Sequence, residues 1–261
     1  MEDTNQTVPE PPAPLSLTGR LTGVLATPGE VFDSVKTAPP STANWLVPAL
    51  LLLGVSWLSA FLIFSQPAIS RQLTDIQSQA IEKQIAAKNR PPEQAAAMRQ
   101  AVEKLGGIGT KIGMVVVATL YALVTPFWWG LLLWGLGRLV FKASLGYMKA
   151  VEVAGLSAVV VALDAVVKTL LVVGMGNLFV GTSAALLCKG ADPSTPMFQL
   201  FSALDVFTFW ALAARAIGLA RLTGVSTLKA AAWVFGLWAA FTGFMLGLSF
   251  AAQALGNALS R

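Results

Sequence analysis

The chain has 261 residues, 55% hydrophobic and only 12% charged, whereas a soluble domain carries roughly 25% charge, so a water-facing surface over most of the molecule is excluded. The net charge of +5 does not signal nucleic-acid binding, because the basic residues flank hydrophobic segments instead of forming one run. With no His and a single Cys, Cys188, read as a small apolar residue, the groups for His-based acid–base chemistry, a Cys/His zinc site or an internal disulfide are missing.

Residues Met1–Pro14 are acidic and Pro-rich and read as a disordered arm. The first 43 residues contain no basic stretch followed by an apolar one, so the first long apolar segment is expected to stay as an anchor. Within residues 15–43, Leu17, Leu21, Val24 and Leu25 recur at helical spacing. Thr27-Pro28-Gly29-Glu30 then combines a capping residue, Pro at the first helical position and Glu three residues after the cap, which predicts a capping-box start. Val31, Phe32 and Val35 supply the next apolar face before Pro39-Pro40 ends it. The pattern predicts a bent pair of amphipathic helices lying on the membrane surface. A loosely ordered linker is the plainer alternative.

A bilayer core needs about 20 apolar residues of helix. Trp45–Phe64, Ile112–Leu136, Ala150–Val173, Leu200–Ala220 and Leu228–Ala252 meet that length, and their internal Gly and Pro are tolerated in membrane helices. The fold class is therefore all-α, a polytopic bundle of five transmembrane helices. The first connection, Ser65–Lys111, is polar. Ile69, Leu73, Ile76 and Ala80 fit one helical face and Met98, Val102 and Leu105 another, with Asn89-Arg90-Pro91-Pro92-Glu93 as a break, so a helical hairpin outside the bilayer is expected. In the third connection, Leu178–Leu187 is apolar but too short to span; it lies in the interface or extends the third helix. Residues 253–261 form a short tail.

Orientation follows from the basic residues of the short connections. Arg138, Lys142 and Lys149, with Arg215, Arg221 and Lys229, fall on the side of the N-terminus, against Lys189 and Arg261 opposite. This places the N-terminus in the cytoplasm and the C-terminus outside, although the basic first connection, Ser65–Lys111, then falls outside as well.

Charges at bilayer depth are the functional suspects. Asp164 and Lys168 lie four residues apart on one face of the third helix and can pair. Three roles fit: a self-neutralising pair, a polar lock to a neighbouring helix, or a relay for protons or ions. Asp205 and Arg215 bracket the fourth helix at ordinary interfacial positions, and Glu152 could meet Arg215 or Arg221. Ala239, Gly243 and Gly247 in the fifth helix, and Ala214 and Gly218 in the fourth, recur every four positions, as in close helix packing. No nucleotide loop, metal-ligand spacing or activated nucleophile is present; Gly174-Met175-Gly176 lacks the Lys-Ser/Thr of a phosphate loop. No cofactor and no metal are called for.

The order of features from Leu21 to about Ala252 resembles the Yip1 domain family of five-span membrane proteins, in its bacterial branch. The resemblance rests on Leu-x-x-Val-Leu-x-x-Pro-x-x-x-Phe at Leu21–Phe32, Ser144–Ala150 before the third span, Leu204–Trp210, Gly218, and Ser226–Ala230 before the last span. Where many members have a Pro early in the third span, this chain reads Ala158-Val-Val. The resemblance implies five spans, a cytoplasmic N-terminus and an external C-terminus. Eukaryotic relatives contact Rab GTPases in vesicle traffic, a role that does not carry to a bacterium.

These readings converge on a non-enzymatic scaffold or accessory subunit of a bacterial inner membrane, with a transport or export assembly as one setting. Its partners would be membrane lipid and either another membrane protein or further copies of itself. A small transporter or channel using Asp164 and Lys168 is the alternative.

Overall fold

A computed structural model describes residues 15–87, 90–101, 107–188 and 195–259. The arm expected at 1–14, and Val102 and Leu105 of the expected hairpin face, lie outside the described residues. Among the described residues ten α-helices follow one another: α1 (Leu17–Ala26), α2 (Pro28–Thr37), α3 (Ala43–Phe64), α4 (Pro67–Ala87), α5 (Pro92–Ala101), α6 (Gly107–Gly135), α7 (Tyr147–Met175), α8 (Pro196–Ala203), α9 (Val206–Thr223) and α10 (Thr227–Leu259). Helices α3, α6 with its π-helical extension to Val140, α7, α9 and α10 are long and apolar enough to cross a membrane.

Helix α7 is the axis of the bundle. Every residue from Ala150 to Val160 is buried, which fits a helix that is apolar all round and wrapped by neighbours. Helices α3, α6 and α9 are those neighbours, whereas α10 packs chiefly along α9. Close approach depends on three glycines. A side chain on Gly155 would run into the backbone of Trp45, one on Gly130 into Val151, and one on Gly218 into Val153. Trp45 also meets Phe127 edge to face at 4.8 Å. These contacts put Trp45, Phe127, Val153 and Gly155 at one level, near the end of the bundle where α3 starts.

That end is closed by α1 and α2. Ser16 caps α1 by accepting from the Gly19 N–H at 3.1 Å, and Pro28 opens α2 as expected. The capping-box bond does not form: Thr27 also closes α1, its N–H donating to the Gly23 carbonyl at 2.7 Å, and its side chain makes no capping bond. The apolar face read from the spacing is present, and protein covers it. Val24, Val31, Phe32 and Val35 are completely buried and join Leu156, Leu212 and Leu219 in the main core. Taken out of water, each such side chain contributes about 1.5–3 kcal/mol.

At the opposite end, α4 and α5 form the predicted hairpin, joined by Arg99 and Glu82 at 2.6 and 2.9 Å. Ile69 is fully buried. Gln72 reaches the end of α7, donating to the Gly176 carbonyl at 2.7 Å and accepting from the Leu178 N–H at 3.1 Å. Gly176 can close α7 because its φ of +61° suits a residue without a side chain. The fifth span has no tail at 253; α10 continues to Leu259.

Candidate functional site

The expected fourth span, Leu200–Ala220, is displaced in the structure. Its first residues form the separate helix α8, and Asp205, in extended conformation, starts α9 by accepting from the Thr208 N–H at 2.9 Å. The apolar run hides this break because Asp205 reads as a charge at a helix end and not as a cap inside one. The consequence is positional. Gly218, thirteen residues on, contacts Val153, so Asp205 lies about 20 Å up the bundle, level with Asp164 and Lys168 of α7.

The connection between α7 and α9 therefore descends into the bundle. The Ala184 N–H donates to the Leu204 carbonyl at 2.9 Å, and Ser183 pairs with Asp205 in an isolated antiparallel bridge. Thr182 is thereby delivered between two carboxylates, 3.0 Å from Asp164 Oδ1 and 2.6 Å from Asp205 Oδ2. Lys168 Nζ lies 2.7 Å from Asp164 Oδ2 and 3.1 Å from Asp205 Oδ2. Non-helical backbone at membrane depth is tolerated only where protein satisfies it, and this cluster does that. Thr169, one turn from Ala165, adds a 2.7 Å hydroxyl contact to Ser59 of α3. The Asp164–Lys168 pair thus contacts Asp205 at the start of α9 and Thr182 of the connecting segment.

Proton counting sets what the cluster can do chemically. Thr182 has one hydroxyl hydrogen and can donate to one carboxylate at a time. With both carboxyls ionised and Lys168 charged, the cluster carries net −1 and one hydroxyl–carboxylate contact lacks its hydrogen. A single added proton would supply it. A cavity of about 660 Å³ between α3, α6 and α7 has Asp164 and Lys168 on its wall, with Ser56 and Tyr121 opposite.

A second polar network lies at the α1–α2 end. Glu152, only 1% exposed, accepts from Asn44 Nδ2 at 2.6 Å and from the Ser41 N–H at 3.1 Å, with Lys149 Nζ 3.4 Å away. Arg20 donates to Asn44 Oδ1 at 3.2 Å and to Ser34 Oγ at 3.3 Å. Lys149 also donates to the carbonyls of Val35 and Ala38, at 2.7 and 2.8 Å. The pairing of Glu152 with Arg215 or Arg221 is not found. Glu152 faces α3, Arg221 pairs with Asp33 of α2 at 3.2 Å, and Arg215 faces α6. Arg20, Asn44, Lys149 and Thr182 were not singled out by the sequence; only the three-residue spacing of Lys149 and Glu152 hinted at this network.

Arg215 is the anomaly. It is buried within the bundle, 3% exposed, and its Nε has no hydrogen-bond partner among the described residues. Among the described residues no carboxylate pairs with it; its guanidinium lies over the Trp129 ring, 4.2 Å from the centroid. A desolvated cation–π contact is worth about 2 kcal/mol, while removing an unpaired ion from water costs several, so the ring alone does not balance the charge.

Of the small residues, Ala214 and Gly218 are buried in α9, where Gly218 receives Val153 and Phe32. Ala239, Gly243 and Gly247 are exposed on α10, and an added side chain at Gly243 or Gly247 would meet nothing. Their spacing does not draw α10 against its own bundle.

Five long apolar helices, one of them buried at the centre of the others, define a polytopic α-helical membrane protein. The Yip1 domain family matches residues 22–248, and the chain belongs to that family. Neither the curated proteins nor the solved structures compared with it give a match.

Proposed function

We propose that this protein is a non-enzymatic membrane scaffold or accessory subunit, acting in a bacterial inner membrane by holding a partner protein or lipid. Helix α10 carries the reading. It is 33 residues long, attached along α9, and exposes Ala239, Gly243 and Gly247, with open space where a side chain on Gly243 or Gly247 would stand. A face of small residues lets a second helix approach closely, and in lipid that packing is what drives association. The α4–α5 hairpin supplies a further surface outside the bilayer. The basic short connections support a cytoplasmic N-terminus, with the C-terminus of α10 on the other side.

Crosslinking in native membranes, with an affinity tag on the C-terminus, tests this. Reproducible capture of one membrane complex is expected, and Gly243→Leu with Gly247→Leu should cut that capture at least tenfold without lowering the thermal midpoint. Capture of nothing beyond the chain itself, or capture indifferent to the double variant, would sink the α10 reading. The cavity beside Asp164 and Lys168 favours a second reading, a small transporter. That reading requires flux in liposomes, changed by neutralising either residue; wild-type liposomes without flux under any gradient would end it.

A further inference from the structure

The connection between α6 and α7 holds a strained residue. Its non-helical stretch, Phe141–Gly146, is tied back to the π-helical turn before it. The Phe141 N–H donates to the Leu136 carbonyl at 3.0 Å, and the Ala143 N–H to the Gly137 carbonyl at 2.9 Å. Between them Lys142 sits at φ +54°, the one non-glycine with a positive φ among the described residues. Glycine alone enters that region freely, so the backbone is strained at the point where a cation stands. Strain of this kind persists where the position of a side chain matters. Lys142 is exposed, and so is Arg138, whose Nε donates to the Leu145 carbonyl at 3.1 Å. Lys229 of α10 comes to the same surface, its Nζ 5.6 Å from the Phe141 ring centroid. Among the described residues no ion pair includes any of these three cations. Leu139, in the π-helical turn, and Leu228, in the first turn of α10, are 79% and 82% exposed. Exposed non-helical backbone cannot stand in hydrocarbon, so the stretch marks the boundary between lipid and water.

We propose that Arg138, Lys142 and Lys229 form a surface site for an anionic phospholipid of the surrounding bilayer. The cations take the phosphate at headgroup level, and Leu139 and Leu228 lie against the upper part of the acyl chains. Charge and apolar exposure together select this occupant. A zwitterionic headgroup brings its own cation, so it returns less to three cations that have no carboxylate. Free phosphate or a small soluble acid would satisfy the charge but leave both leucines bare. An anionic lipid covers both. The strain at Lys142 then has an account: a glycine there would relax the turn but remove a charge from the site. The proposal rests on the lipid-holding side of the function proposed above. It is tested on the purified chain, where the absence of a protein partner for α10 has no bearing.

The full chain is placed in nanodiscs of mixed phosphatidylcholine and phosphatidylglycerol, and the lipids it retains on release are counted by native mass spectrometry. Phosphatidylglycerol should be retained in preference. Arg138→Gln with Lys229→Gln should cut that preference about tenfold or more, since each cation near a lipid surface contributes about fivefold. Lys142→Gly should cut it about fivefold, while its thermal midpoint in pure phosphatidylcholine stays level or rises. That variant loses lipid without losing stability, and it covers the case in which the double variant does not fold. Lys36→Gln with Lys83→Gln removes two exposed cations elsewhere and should leave the preference as it was. An equal loss in this control assigns the effect to overall charge and overturns the proposal. A preference that survives the double variant or Lys142→Gly overturns it too. A wild type with no preference does the same and leaves the surface to an acidic protein.

Discussion

Glu152→Ala should lower the stability of the detergent-solubilised protein by about 3 kcal/mol or more, read from its thermal or denaturant midpoint. The substitution removes the one anion of a buried network that also holds Arg20 and Lys149, and it strips Asn44 Nδ2 and the Ser41 N–H of their acceptor. Lys149 keeps the carbonyls of Val35 and Ala38, so the loss belongs at the lower end of the 3–5 kcal/mol typical of breaking a buried pair. Glu152→Gln retains one acceptor oxygen and should cost less. A midpoint unchanged in Glu152→Ala would mean that water replaces the carboxylate and that the network is not buried in solution.

Gly155→Ala should cost about 1–3 kcal/mol, and Gly155→Leu should prevent the bundle from forming. The new Cβ would lie 2.5 Å from Trp45 Cβ and 2.9 Å from the Asn44 carbonyl oxygen, besides meeting the Trp45 Cα. Backbone cannot rotate aside, so α3 must move away from α7, and Asn44 then leaves Glu152. Gly218→Ala is the comparison. It meets the side chains of Val153 and Phe32, which have rotamers to give, and should be milder. Equal losses at the two positions would show that side-chain packing, and not backbone contact, sets the α3–α7 distance.

The spans were legible because lipid imposes a length on apolar helices, and four of the five windows lie within the helices found. The Asp164–Lys168 pair was legible because four residues of helix bring two side chains together. The fourth span was not, since hydropathy reads Leu200–Leu204 and Val206–Trp210 as one run while a single extended Asp205 divides them. Thr182 could not be found at all: its place depends on where the connection descends, which no local pattern records. Glu152 was flagged with the wrong partner, because charge matching within the spans overlooks a neutral Asn44 and a backbone N–H. The stripe on α10 was visible, but spacing says that a face can pack and not what packs there.

The docking of α1 and α2 has a consequence for the order in which the molecule can be assembled. Val31 and Phe32 leave the ribosome before any of the five apolar helices, yet Gly218, against which Phe32 rests, is made only after the first three of them. Until α9 arrives, this amphipathic pair can reach α3 and α7 but lacks the surface on which Phe32 rests, and the water–lipid boundary is the nearest cover for what stays open. Helices α1 and α2 thus serve as a latch that is made before the spans and closes only when α9 is in place, and a nascent chain halted before α9 is still open at that end.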